Sequence, residues 1–159
     1  MGSYTVSVSN SVGRVQSRPA LVQVPGQLRA VTWGSNASGQ TNVPVSVSNV
    51  VTVAAGGYHV LGLRADGSVA GWGYNGSGQA VGPVAATNGV AVAAGEYHSV
   101  VVRGDGKAVA WGYNAYGQTS VPAEATNGVS VAAGGRHTVL DRADGTVVAW
   151  GDNTYGQAT

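Results

Sequence analysis

The chain has 159 residues, only 9% of them charged, and a formal net charge of +1. That supplies no basic field for a phosphate backbone, and no apolar run approaches the roughly 20 residues of a spanning helix, so neither nucleic acid nor a membrane is expected as a partner. Cysteine is absent, which removes disulfides and thiolate metal sites.

Met1-Gly2-Ser3 has neither a basic segment nor an apolar core and reads as an added tag. Residues 4–24 follow, with alternation at Tyr4, Val6 and Val8 and again at Leu21 and Val24. That pattern predicts two strands joined through Asn10–Gly13. The stretch resembles the last two strands of a bacterial immunoglobulin-like domain, with Tyr4 in the corner position. A boundary is therefore expected after residue 27.

From residue 28 the chain repeats every 39 residues. The phrase Trp-Gly-x-Asn-x-x-Gly-Gln begins at Trp33, Trp72, Trp111 and Trp150, in units expected to span 28–50, 51–89, 90–128 and 129–159. A fixed period of this length means stacked supersecondary units. Asp66-Gly67, Asp105-Gly106 and Asp144-Gly145 recur in step between alternating apolar segments, which predicts type I′ hairpins. Val-x-Val-Ala-Ala precedes them at Val51, Val90 and Val129. No segment carries a helical period. Three or four short strands per unit, apolar on both faces, bury those faces only by stacking on neighbours. The Ala pairs ending the first strand suit the crowded axis of a β-propeller. The expectation is an all-β propeller of about 3.5–4 blades.

Val-Ala-Ala-Gly-Gly-x-His, Arg-Ala-Asp-Gly-x-Val and Ala-Trp-Gly-x-Asn-x-x-Gly-Gln together resemble the regulator of chromosome condensation repeat. The phrase from Trp111 to Val129 looks especially like the repeats of the secreted bacterial β-lactamase inhibitor protein II. The resemblance implies a propeller of seven blades, which this chain does not reach. Four Trp-Gly halves stand against three Val-Ala-Ala-Gly halves. An open array leaves apolar faces and unpaired edges, so self-association is expected, most simply a dimer closing about eight blades.

Four sets of side chains are candidates. His59, His98 and His137 are the only histidines, but they recur once per blade around an axis and do not converge, so a structural role is expected and no metal. Asp66, Asp105 and Asp144 serve turns, and Glu96, Glu124, Asp141 and Asp152 are out of step with one another. No carboxylate pair and no Gly-x-Ser-x-Gly elbow is present, so neither catalysis nor a cofactor is expected. Trp33, Trp72, Trp111 and Trp150 are expected to pack between blades, and Gln40, Gln79, Gln118 and Gln157 to bond neighbouring backbone. The positions that vary between copies are the place for a partner, and Tyr and Arg are the types that anchor interfaces. The inhibitor's use of these loops implies Tyr58, Tyr97, Arg136, Tyr116 and Tyr155 as binding residues. The expected function is a non-enzymatic protein-interaction module, extracellular or on a bacterial cell surface. A self-assembling structural array is the alternative and a carbohydrate-binding module a weaker one.

Overall fold

The structure is a computed structural model that describes residues 18–24 and 27–159. Among them are eleven strands and no helix. Three antiparallel sheets hold three strands each. The first is β3 (Val50–Ala55), β4 (His59–Arg64) and β5 (Val69–Gly73). The second is β6 (Gly89–Ala94), β7 (His98–Arg103) and β8 (Ala108–Gly112). The third is β9 (Gly128–Ala133), β10 (His137–Arg142) and β11 (Val147–Gly151). The first strands touch in series, β3 with β6 and β6 with β9, and each middle strand lies on the next first strand. That is the fan of propeller blades, with the Ala-Ala strands innermost.

A two-stranded sheet precedes them, β1 (Arg18–Val24) with β2 (Gln27–Trp33). Arg18 pairs with Trp33 as Val60 pairs with Trp72, so this hairpin takes the middle and outer positions of a blade, with no inner strand among the described residues. Of the expected N-terminal hairpin, Tyr4 and the Asn10–Gly13 link lie outside the described residues. Its second segment is β1, and Leu21 pairs with Ala30 and Val24 with Gln27. The boundary placed after residue 27 thus falls inside a paired strand.

Two local features differ from the reading of the sequence. At each Asp-Gly tip only the glycine takes positive φ, 77° at Gly67, 75° at Gly106 and 81° at Gly145. The Gly67 N–H bonds Arg64 O while Arg64 N–H bonds Ser68 O. This is a type I turn closed by a glycine bulge, not type I′. The aspartate side chain supports it by accepting from the Ser68 N–H at 2.9 Å. Each inner strand also opens with a bulge: Val50 pairs Arg64 and Thr52 pairs Leu63, leaving Val51 over. Val90 and Val129 are skipped in the same way, and all three valines are exposed.

The joints between blades are half apolar and half polar. Leu61 and Leu63 of the first blade pack on Val92, Val101 and Trp111 of the second. Val102 repeats the pattern against Leu140, Val148 and Trp150. Beside this core, His59 Nε2 meets Ser99 Oγ at 2.8 Å, and Ser99 donates to the Gln79 carbonyl at 2.8 Å. The Trp111 indole N–H reaches the same carbonyl at 2.8 Å. In the next joint His98, Thr138, Gln118 O and Trp150 repeat the set. Since each hydroxyl proton goes to a carbonyl, the imidazole must donate from Nε2, which leaves Nδ1 bare. His59 and His98 therefore each bond a hydroxyl of the following blade, a structural role. Burial, with a contribution from the neighbouring histidine, lowers His59 and His98 from 6.5 to about 4. The glutamine side chains fold their own loops: Oε1 of Gln40, Gln79, Gln118 and Gln157 each accepts the N–H two residues earlier.

Candidate functional site

The loops after the inner strands and the exits of the outer strands share one end of the molecule, because Tyr74 N–H bonds Tyr58 O and Tyr113 N–H bonds Tyr97 O. Backbone bonds between blades, Gly57 N–H to Gly95 O and Glu96 N–H to Gly135 O, hold the inner loops in series. The 39-residue step therefore turns one tyrosine per loop into a row. Tyr58 and Tyr97 stack at 5.2 Å and 21°. Tyr74 stands edge-on to both, at 6.4 Å from Tyr58 and 5.9 Å from Tyr97. Tyr113 continues from Tyr97 at 6.4 Å, and Tyr116 from Tyr113 at 6.3 Å.

Arg136 ends the row. Its Cζ sits 4.5 Å from the Tyr116 ring centroid, and Nη1 donates to the Tyr116 hydroxyl at 3.0 Å. Partial loss of water, with Tyr58 and the Glu96 carboxylate nearby, raises the Tyr97 phenol. Asp152 is held low, first by the hydroxyl and N–H of Thr154 and in smaller part by Arg136.

Of the five binding residues expected from sequence, the structure brings together Tyr58, Tyr97, Tyr116 and Arg136. Tyr155 stands apart, 91% exposed and in contact with no other ring among the described residues. Tyr74 and Tyr113, outside the expected set, stand in the same row, and Glu96 lies beside it. The signal for the two tyrosines was present, since both follow Trp-Gly. For Glu96 the signal was its difference from its counterparts Gly57 and Gly135.

The repeat residues are placed elsewhere. Trp72, Trp111 and Trp150 are 5%, 8% and 6% exposed inside the joints. Trp33 is 45% exposed, because no blade among the described residues precedes it to offer a carbonyl. His137 likewise meets no hydroxyl among the described residues. Asp141 is exposed on the third blade, and its neighbour Arg142 bonds Thr146 Oγ1 and Glu124 O instead of this carboxylate. Among the described residues no three His, Asp or Glu side chains stand close enough to share a metal ion.

Comparison with known proteins agrees with the propeller fold. The CRINKLY WD40 ectodomain of the Arabidopsis thaliana receptor kinase ACR4 superposes with a TM-score of 0.70 and 26% identity, over 86% of this chain and 48% of that one. Yeast RCC1 (Prp20), in its crystal structure with Kap60, gives 0.65 at 20% identity over 94% and 46%. The C-terminal domain of gp131 from bacteriophage phiKZ gives 0.55 at 18% identity over 89% and 51%. The chain spans about half the length of these structures. No curated protein sequence matches it. The pattern of the Regulator of chromosome condensation (RCC1) repeat matches residues 50–79, 90–118 and 129–157, more than half of the chain and one match per complete blade, and the chain belongs to that family.

Proposed function

We propose that the chain is a non-enzymatic protein-interaction module whose partner docks on the tyrosine row and Arg136. The observation that carries this is the continuity of the rings: Tyr58, Tyr74, Tyr97, Tyr113 and Tyr116 touch in series along one end. Rigid tyrosines offer large contact area at low entropic cost, and they concentrate binding energy together with Arg. Prp20p has a crystal structure described with its binding to Gsp1p and histones, and another bound to Kap60, which supports a protein partner for the fold. An extracellular or cell-surface setting is part of the proposal. It is supported by the sparse charge and by the ectodomain among the similar structures.

The test is differential capture from a surface extract of the source cells, comparing the native chain with a Tyr113→Ala/Tyr116→Ala double variant of unchanged melting temperature. A protein retained only by the native chain is the expected result. Identical retention by both, or none by either, would refute the reading.

A second reading is assembly of copies edge to edge. Trp33 lies exposed at one edge, and at the other the Gln157 carbonyl receives no indole among the described residues. A second copy's Trp33 fits that acceptor. A solution mass that stays constant on concentration would remove this reading.

A further inference from the structure

Asparagine or aspartate followed by glycine is where a chain can attack its own side chain, because a glycine carries no Cβ in the way of the ring that forms. The described residues hold six such pairs: Asn75-Gly76, Asn88-Gly89, Asn127-Gly128, Asp66-Gly67, Asp105-Gly106 and Asp144-Gly145. In five of them the glycine nitrogen is engaged. Gly89 and Gly128 donate to the tip carbonyls of Gly67 and Gly106 at 2.8 Å, and Gly67, Gly106 and Gly145 close their turns on the carbonyls of Arg64, Arg103 and Arg142. The Gly76 N–H donates to nothing among the described residues.

The Asn75 side chain is placed to match. Asn75 and Gly76 are both exposed, so water reaches the proton that must leave. Asn75 Oδ1 accepts the Ala80 N–H at 2.9 Å, a donor already in place for the charge that builds on that oxygen during attack. The side-chain nitrogen is unheld. In the neighbouring loops Asn36 Nδ2 donates to Asn42 Oδ1 and Asn114 Nδ2 to Ser120 Oγ, both at 3.0 Å, but this loop carries Val81 at that place. Gly76 is also particular to it: Ala37, Ala115 and Thr154 stand there in the other loops, and here the Tyr74 hydroxyl fills the space of a Cβ.

We propose that Asn75-Gly76 is a site of spontaneous modification, where the Gly76 nitrogen displaces ammonia from the Asn75 side chain and water then leaves aspartate or isoaspartate. The Gly76 nitrogen bonds Asn75 Cγ as the Cγ–Nδ2 bond breaks. The Gly76 proton passes through water to the departing nitrogen, which leaves as ammonia. Water opens the resulting succinimide at either carbonyl. Breaking the bond to Cγ gives aspartate, and breaking the bond to the main-chain carbonyl routes the chain through Cγ as isoaspartate. Aspartate keeps an acceptor for the Ala80 N–H. Isoaspartate lengthens the backbone ahead of Gln79, whose carbonyl takes both the Ser99 hydroxyl and the Trp111 indole. Modification thus adds a negative charge beside Tyr74 and, as isoaspartate, loosens the joint between the first and second blades. The chemistry needs no partner, so it stands or falls apart from the docking reading.

The experiment is incubation of the whole folded chain in mildly alkaline buffer, with peptide mapping by mass spectrometry that separates aspartate from isoaspartate. Position 75 should convert on the order of tenfold faster than 88 or 127, the factor that one engaged backbone N–H supplies. In guanidinium, where those hydrogen bonds are gone, the three asparagines should react at similar rates. Gly76→Ala should convert far more slowly at position 75, with a circular dichroism melt confirming that it folds. The isolated isoaspartate form should show a lower urea midpoint than the unreacted chain. Equal rates at 75, 88 and 127 in the folded chain, or no conversion at 75, would overturn the site. A difference in guanidinium as large as in the folded chain would assign the selectivity to neighbouring residues and overturn the role of the fold. An unchanged urea midpoint would overturn the effect on the joint.

Discussion

At one register position the three complete blades carry Val60, Ser99 and Thr138, opposite Trp72, Trp111 and Trp150. The two hydroxyls complete a joint with the histidine of the blade before; Val60 has no such bond. The recurrence of the histidines was legible in the sequence, but their partners were not. A partner lies 40 residues on, one past the period, and its identity changes from blade to blade, so no pattern of constant letters marks it. A pH dependence follows from this burial. His59 and His98 titrate near 6.5 when unfolded and about 4 when folded. Between those values the unfolded chain takes up protons that the folded chain does not. Stability is therefore full above pH 6.5 and falls as pH drops through that window, by on the order of 2 kcal/mol per histidine at about pH 5. Urea midpoints at neutral and mildly acid pH measure this, and equal midpoints would contradict it.

At the scale of the element, the Asp-Gly dipeptides marked the hairpins correctly because a positive-φ glycine is common to both candidate turns. The choice between turns was hidden, since it depends on the φ of the aspartate. Also hidden was the docking of each tip on the next blade, where Gly67 O accepts from Gly89 N–H and Gly106 O from Gly128 N–H. The asparagines just before those glycines, Asn88 and Asn127, take φ of 54° and 56° to make this contact, and Asn49 has the same conformation at 55°. The tips therefore differ in how much they tolerate. A Cβ on Gly106 would come within 2.9 Å of Asn127 Cα, while a Cβ on Gly145 would meet nothing within 4 Å. Gly145→Ala should cost only the left-handed backbone strain, about 1–2 kcal/mol. Gly106→Ala should cost roughly twice that or more, because backbone must also shift. Chemical denaturation of the two variants side by side decides it, and equal losses would show that the tip contact is soft.

For the whole molecule, the 39-residue step was enough to read blades, their stacking and the unequal ends. It could not show how the edges are guarded. Where Leu63 and Val102 press buried into the following joint, the third blade carries Asp141, exposed. Covering that edge with another blade would bury a carboxylate without a cation, a device that keeps sheets from adding partners. Asp141→Leu should therefore increase concentration-dependent self-association in sedimentation velocity, and an unchanged mass across concentrations would mean assembly does not use this edge. The doubly bonded Gln79 and Gln118 carbonyls have a further consequence. Each unit carries a socket, its glutamine carbonyl, and a plug, its indole N–H, and the plug of one unit enters the socket of the unit before. Such units work as interchangeable cassettes. Duplicating or deleting any whole 39-residue span rejoins plug to socket, whereas a cut of another length misaligns every joint downstream, so length change in this architecture is quantised in blades.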